Sequence, residues 1–186
     1  MHPYGSVQLY TVAKKINEEN YQWQHFGIPT MEKPTITKSQ DVGTYYYSWD
    51  TDEGWVNKIG SKALTAPFVG HNLTNLSTDG GVVYTFSGQL VGNKVDSMKF
   101  VTDGWALLAN SYTVPVSIKA ILEALPDGME RTIQVYNPIY GENKANYMQS
   151  VTMGQINLGV AKITELLPMQ AFFVLANGEG GSSLNY

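Results

Sequence analysis

The chain has 186 residues, 43% of them hydrophobic and 15% charged, which is enough apolar material for one all-β domain or two small ones. Its net charge of −4 attracts neither nucleic acid nor an anionic membrane surface, and the lack of cysteine removes disulfide and thiolate chemistry. Abundant tyrosine and glycine, 12 and 18 residues, give the profile of a β-rich extracellular protein. No run approaches the roughly 20 apolar residues of a membrane span. Met1-His2-Pro3-Tyr4 lacks the basic start and apolar stretch of a signal sequence, so a signal for export is expected outside this chain.

Ser6 to Lys15, carrying Val7, Leu9, Tyr10 and Val12, predicts an opening strand closed by the polar turn Asn17-Glu18-Glu19-Asn20. Tyr21, Trp23 and His25 then alternate with Gln22, Gln24 and Phe26 before Pro29, which predicts a strand ending at a turn. Tyr45 to Trp49 and Trp55 to Asn57 flank Asp50-Thr51-Asp52-Glu53-Gly54, a hairpin loop closed by glycine. Phe68 to Leu73 and Val82 to Leu90 read as the next pair, joined through Asp79-Gly80-Gly81. Further strands are expected over 105–110, 132–136, 146–151, 163–167 and 169–176. One segment predicts a helix: Ser117 can cap it, Ile118, Ile121, Leu122 and Leu125 fall at helical spacing, and Pro126-Asp127-Gly128 stops it. The expected class is all-β, a jelly-roll-like β-sandwich with one short helix near 117–125.

The chain also reads twice. Trp23 aligns with Trp105 at an offset of 82 positions, which also brings Ile36 onto Ile118, and Trp49-Asp50 best matches Tyr136-Asn137. Ala66-Pro67-Phe68-Val69-Gly70 answers Leu167-Pro168-Met169-Gln170-Ala171, and Asp79-Gly80-Gly81 answers Glu179-Gly180-Gly181. Self-similarity of this kind marks a duplicated unit that buries its apolar faces against its twin. The expected organisation is a single sandwich module over 1–186 built from two similar halves. Its internal repeat covers 21–90 and 103–186, with a linker at about 91–102. Trp23 and Trp105 are expected at related core positions, and Pro67 and Pro168 at the starts of related strands.

The run from Gly104 to Pro115, Gly-Trp-Ala-Leu-Leu-Ala-Asn-Ser-Tyr-Thr-Val-Pro, resembles the "GWNLLGNPY..P" block of surface and secreted proteins of Bacteroidetes. Pro168-Met169-Gln170-Ala171-Phe172-Phe173-Val174 is similar to their "PGQGFFV" block, with Met169 and Ala171 where glycines are usual. Tyr136-Asn137-Pro138 stands where a "YIYN" strand is usual, and His25-Phe26-Gly27-Ile28-Pro29 and Trp49-Asp50 resemble the first-half counterparts. The resemblance covers most of the chain from Trp23 onward. It implies a β-sandwich module of large exported, adhesin-like proteins, hence a secreted or cell-surface location and further domains of a parent protein as neighbours. It brings no catalytic residue with it.

Asp50-x-Asp52-x-Gly54 matches the first half of a calcium loop, but the twelfth position is Ser61 where a bidentate acid is needed. A plain hairpin turn is expected there, with no metal and no other cofactor. Trp49, Trp55, Tyr45, Tyr46 and Tyr47 surround the turn, and strand alternation sends some of these rings outward. Two readings stay open: the rings pack the sheet, or they stack on sugar rings beside carboxylates, with Tyr46, Trp49, Asp50, Asp52 and Trp55 as the ligand-binding set.

Catalysis has little support. His2, His25 and His71 share no metal-binding spacing, no Gly-x-Ser-x-Gly elbow is present, and Leu107 and Phe172 answer His25 and His71 in the second copy, as packing positions would. The glycine-rich stretch Asn177 to Ser183 lacks the lysine and helix of a phosphate loop. Asn72-Leu73-Thr74 and Asn75-Leu76-Ser77 match a eukaryotic glycan-acceptor pattern, and Asp96-Ser97-Met98 resembles the O-glycan acceptor of Bacteroidetes. The expected function is a non-catalytic structural or adhesive module of an exported bacterial surface protein. The alternative is a carbohydrate-binding module that uses the aromatic hairpin at 45–55. Glycans and host surface proteins are the expected partner classes.

Overall fold

A computed structural model describes residues 3–57, 64–78, 80–92, 98–99, 103–136, 148–177 and 183–184. Its elements in the first half are β1 (Tyr4–Thr11), β2 (Gln24–Gly27), β3 (Thr35–Lys38), β4 (Thr44–Asp50), β5 (Gly54–Asn57), β6 (Gly70–Asn75) and β7 (Val82–Gln89). There follow β8 (Met98–Lys99), β9 (Gly104–Ala109), β10 (Val116–Ser117), α1 (Ile118–Ala124), β11 (Met129–Tyr136) and β12 (Met148–Thr152). The chain closes with α2 (Met153–Asn157), β13 (Glu165–Leu166), β14 (Ala171–Ala176) and β15 (Ser183–Leu184). The fold is all-β, with antiparallel sheets and two short helices.

Two four-stranded sheets share one topology, β2-β6-β4-β5 and β9-β14-β11-β12. In each, the first strand pairs with the last, the last with the second, and the second with the third. The registers agree residue by residue: Phe26–His71 and Gly27–Gly70 in the first sheet become Leu108–Phe172 and Ala109–Ala171 in the second. Ser48–His71 and Tyr47–Asn72 likewise become Val135–Phe172 and Gln134–Phe173, with a bulge in β11 between Met129 and Ile133 absorbing the extra residues.

Each sheet buries one face, but the two are covered differently. Phe26, Tyr46 and Leu73 pack against Val82, Tyr84 and Phe86 of a three-stranded sheet, β1-β7-β3, to which Ile36 adds from β3. In the second half Leu108, Ile133, Val135, Phe172 and Val174 pack against Ile118, Ile121 and Leu122 of α1 and Leu166 of β13. Ile36 and Ile118 therefore both cover their own sheet, one from a strand and one from a helix. The Ser117 hydroxyl caps α1 by accepting from the Ala120 amide at 3.4 Å. Arg131 of β11 closes the other end, Nη1 donating to the Leu122 carbonyl at 2.8 Å and also to that of Leu125.

Two expectations are corrected. The segment after β12 turns into α2, where Thr152 and Gln155 form a reciprocal capping box. The expected hairpin of Phe68–Leu73 with Val82–Leu90 does not form. Both edges of β6 are taken by β2 and β4, so the chain crosses to the facing sheet, where β7 pairs with β1 from Tyr4–Gln89 to Thr11–Val82. The expected turn residue Asp79, the acceptor-like Asp96-Ser97-Met98 and the glycine-rich stretch 178–182 lie outside the residues whose side chains are described.

The two four-stranded sheets meet around a local two-fold relation. Gly27 N–H donates to the Met169 carbonyl at 2.8 Å, and Ala109 N–H donates to the Phe68 carbonyl at 3.0 Å. Phe68 and Met169 both hold φ at 63°, a left-handed conformation that costs a side-chain-bearing residue about 1–2 kcal/mol. Both side chains are fully buried, so apolar burial offsets the strain. Gly27 faces Ala109 so closely that a Cβ on Gly27 would collide with the Ala109 methyl.

Two predictions test this packing. Gly27→Ala should destabilise the fold by about 1–3 kcal/mol through overpacking, and moving the methyl across the axis in the Gly27→Ala, Ala109→Gly double variant should recover most of that in urea denaturation. A double variant as unstable as the single one would show that the joint is not set by that contact.

The second concerns His71, buried on the core face beside Phe26, with Ser48 Oγ 3.1 Å from its Nδ1. Burial lowers its imidazole from the ordinary 6.5 to about 4. The unfolded chain therefore binds the proton more readily between these values, so stability is full above about pH 6.5 and falls as pH drops towards 4. His71→Phe, which copies Phe172 of the second sheet, should remove up to about 3 kcal/mol of the stability difference between pH 7 and pH 4.5. An unchanged difference in urea titrations at the two pH values would assign the acid sensitivity elsewhere.

Candidate functional site

Strand alternation gives each four-stranded sheet a second face, and these two faces look at each other. Near the joint they touch directly: Leu107, Ala109, Ala171 and Phe173 form a small apolar cluster, with Trp49 and Met148 packed on it. Gly70 makes the contact possible, since a Cβ there would meet the Leu107 side chain and come within 2.9 Å of the Leu108 carbonyl oxygen. Beyond that contact the sheets enclose an open cleft of about 440 Å³.

Trp23, His25, Trp49, Trp55 and Asn72 line it from the first half, and Trp105, Gln134, Tyr136, Met148 and Phe173 from the second. All four tryptophans of the chain are among them. The lining follows the relation between the sheets. Trp23 answers Trp105, Trp49 answers Tyr136, and Trp55, paired with Trp49, answers Met148, paired with Tyr136. At one register pair the relation passes from polar to apolar: His25 and Asn72 of the first sheet answer Leu107 and Phe173 of the second.

The rings hold one another in edge contacts. Trp49 lies 5.0 Å from Phe173 and 5.3 Å from Trp55, both nearly perpendicular. The Trp49 indole N–H donates to the Trp105 carbonyl at 2.7 Å, and the Thr51 hydroxyl donates to the same oxygen at 3.3 Å, tying the β4–β5 hairpin to β9. The His25 ring lies tilted against Tyr136 at 4.7 Å and against Trp55 at 5.3 Å. Burial lowers its imidazole to about 4, so it is neutral at pH 7. Trp55 and Trp105 remain the more open rings, at 37% and 38% exposure.

Polar capacity in the cleft is left unused. His25 and Asn72 are direct partners in the β2–β6 register, which sets their side chains next to each other. His25 Nδ1 and Asn72 Oδ1 are nevertheless both buried with no hydrogen-bond partner. A buried polar atom in that state costs about 1–3 kcal/mol, which a ligand bearing hydroxyl groups could recover.

Of the residues picked out from sequence, Trp49 and Trp55 line the cleft. Tyr46 is on the opposite face of β4, buried in the core against Phe26. Asp50 Oδ1 accepts from the backbone amides of Asp52 and Glu53 at 3.0 and 3.1 Å, closing the turn, while the Asp52 side chain is exposed. Neither aspartate lines the cleft, and Ser61 lies outside the described residues. Trp23 and Trp105 do take related positions, but at the cleft and not in the core, because Phe26 and Leu108 occupy the core face of their strands. His25, Asn72, Gln134, Tyr136 and Phe173 were not expected in a site. The signal for them was the alternation that puts Trp23 and His25 on one face, combined with the offset that aligns Trp23 with Trp105.

Among the described residues, no group of three or more His, Asp and Glu side chains is placed to hold a metal ion, and no helix is long and apolar enough to cross a membrane. No protein-family model, curated protein or solved structure matches the chain.

Proposed function

We propose that the chain is a non-catalytic adhesive module of an exported bacterial surface protein, and that it holds a glycan in the tryptophan cleft. The observation that carries this reading is the convergence of all four tryptophans on one cavity between two sheets. Four indoles gathered away from both cores offer flat apolar faces, on which sugar rings stack. The other described lining groups are a neutral imidazole, two amides, a phenol, a phenyl ring and a thioether, a set suited to holding a ligand rather than to transforming it.

The adhesin-like part of the reading draws on the two sequence blocks that resemble Bacteroidetes surface proteins, whose residues have definite work in this fold. Gly104 opens β9 at φ 86°, and Trp105 reaches the cleft. Asn110 Nδ2 donates to the carbonyls of Val114, Leu166 and Leu167 at 2.9, 3.1 and 3.1 Å, while its Oδ1 accepts from the Tyr112 amide at 3.0 Å. That one side chain fixes the loop leaving β9 against β13. Met169, where the resembling block carries glycine, has the positive φ that glycine adopts most readily.

Binding of the purified chain to an array of glycans and host-matrix proteins tests the proposal, with Trp55→Ala as the variant. Trp55 is 37% exposed, so its loss should shift the melting temperature little while weakening binding at least about tenfold, as removal of a buried contact aromatic does. Binding that survives Trp55→Ala unchanged would place the contact outside the cleft. A folded wild-type chain that binds nothing on the array would leave a structural spacer as the better reading.

A further inference from the structure

We propose that the cleft is built for an uncharged pyranose residue, whose hydroxyl edge is read by the adjacent pair His25 and Asn72 and whose apolar face lies on the aromatic wall. The inference deepens the glycan-binding reading above and rests on it. Its starting point is the broken symmetry of the lining. At two positions related by the fold, the first sheet places His25 and Asn72 where the second places Leu107 and Phe173. At these two positions the first wall can make hydrogen bonds and the second cannot, while Gln134 and Tyr136 carry the polar groups of the second wall elsewhere. A ligand that fills such a cleft needs hydroxyl groups along one edge and a flat C–H face on the other side, and a pyranose ring has both.

The polar wall is also incomplete by itself. His25 and Asn72 are register neighbours, yet Nδ1 and Oδ1 form no bond with each other or with any other group. Neighbouring hydroxyls of one sugar ring can serve both atoms, donating to the Asn72 oxygen and to or from the imidazole. Trp55 packs on the His25 ring and is the most exposed of the rings touching it, so its rotation is the movement that opens this pair to a ligand.

Charge argues for a neutral sugar. Among the described residues the lining holds no carboxylate, ammonium or guanidinium group. An acidic sugar would lose water around its carboxylate without gaining a counter-charge. A quaternary ammonium would find aromatic faces, but it would leave both polar atoms unsatisfied. The volume of about 440 Å³ gives room for one or two sugar rings.

The test is calorimetric titration of the intact chain with methyl glycosides of glucose, galactose and mannose and the matching neutral disaccharides, set against glucuronate, N-acetylneuraminate and choline. At least one neutral sugar should bind, and glucuronate should bind at least about tenfold more weakly. His25→Leu, which copies Leu107, and Asn72→Ala should each weaken that binding at least about tenfold, because the ligand hydroxyl then faces no partner. Circular dichroism checks that both variants are folded. Equal or tighter binding of an acidic sugar, or binding of choline alone, would overturn the assignment while keeping the cleft as a binding site. Full affinity in both folded variants would overturn the role of the pair. Silence of every probe together with a silent array would remove the glycan-binding reading itself.

Discussion

The architecture depends on a reciprocal pair of backbone hydrogen bonds, Gly27 N–H to Met169 O and Ala109 N–H to Phe68 O. Each links the edge strand of one sheet to the segment entering the central strand of the other, and both acceptors belong to residues in the left-handed region. A left-handed residue turns its carbonyl out of the line of its own strand, so the same backbone choice that strains the chain also aims the acceptor across the axis. Pro67 and Pro168 precede these residues and fix φ at the approach. Because the two bonds sit beside a glycine and an alanine, the sheets come close enough there for their second faces to pack. The cleft begins where that contact ends.

Around this joint the molecule stacks in layers: a three-stranded sheet, two four-stranded sheets, and a layer of helix and short strands. The end layers differ although the sheets they cover have the same topology. Thr35–Lys38 is short and alternates, so it extends β7 as a strand. Ile118 to Leu122 places apolar residues at helical spacing after a capping serine, so the same role passes to α1. A four-stranded sheet asks only for an apolar surface of suitable width above it, and both solutions supply one.

Much of this was legible in the sequence. The all-β class, the helix at Ile118 and the β4–β5 hairpin followed from local pattern, because capping, periodicity and turn chemistry act over a few residues. The offsets that join Trp23 to Trp105 and Pro67 to Pro168 also recur in the strand registers. What stayed hidden depends on contacts between distant segments. Adjacency in sequence suggests a hairpin of β6 and β7, but the edges of β6 are already filled by strands 20 or more residues earlier. The turn carboxylates Asp50 and Asp52 looked like ligands because they were close to tryptophans in sequence, yet the loop directs them to its own backbone and to solvent. His25 looked like packing because Leu107 answers it, whereas that mismatch is what gives the cleft its polar wall. Alternation shows that a strand has a second face, but not what that face will meet.

The gathering of every tryptophan at the cleft has an optical consequence. The buried cores of both halves contain phenylalanine, tyrosine and aliphatic side chains but no indole, so intrinsic tryptophan emission reports from the interface between the sheets and not from either core. Emission and far-ultraviolet dichroism then watch different events: the first follows separation of the two halves, the second the melting of their strands. If the halves part before they unfold, the two signals will move at different denaturant concentrations. Coincident transitions would instead mean that the joint and the cores give way together.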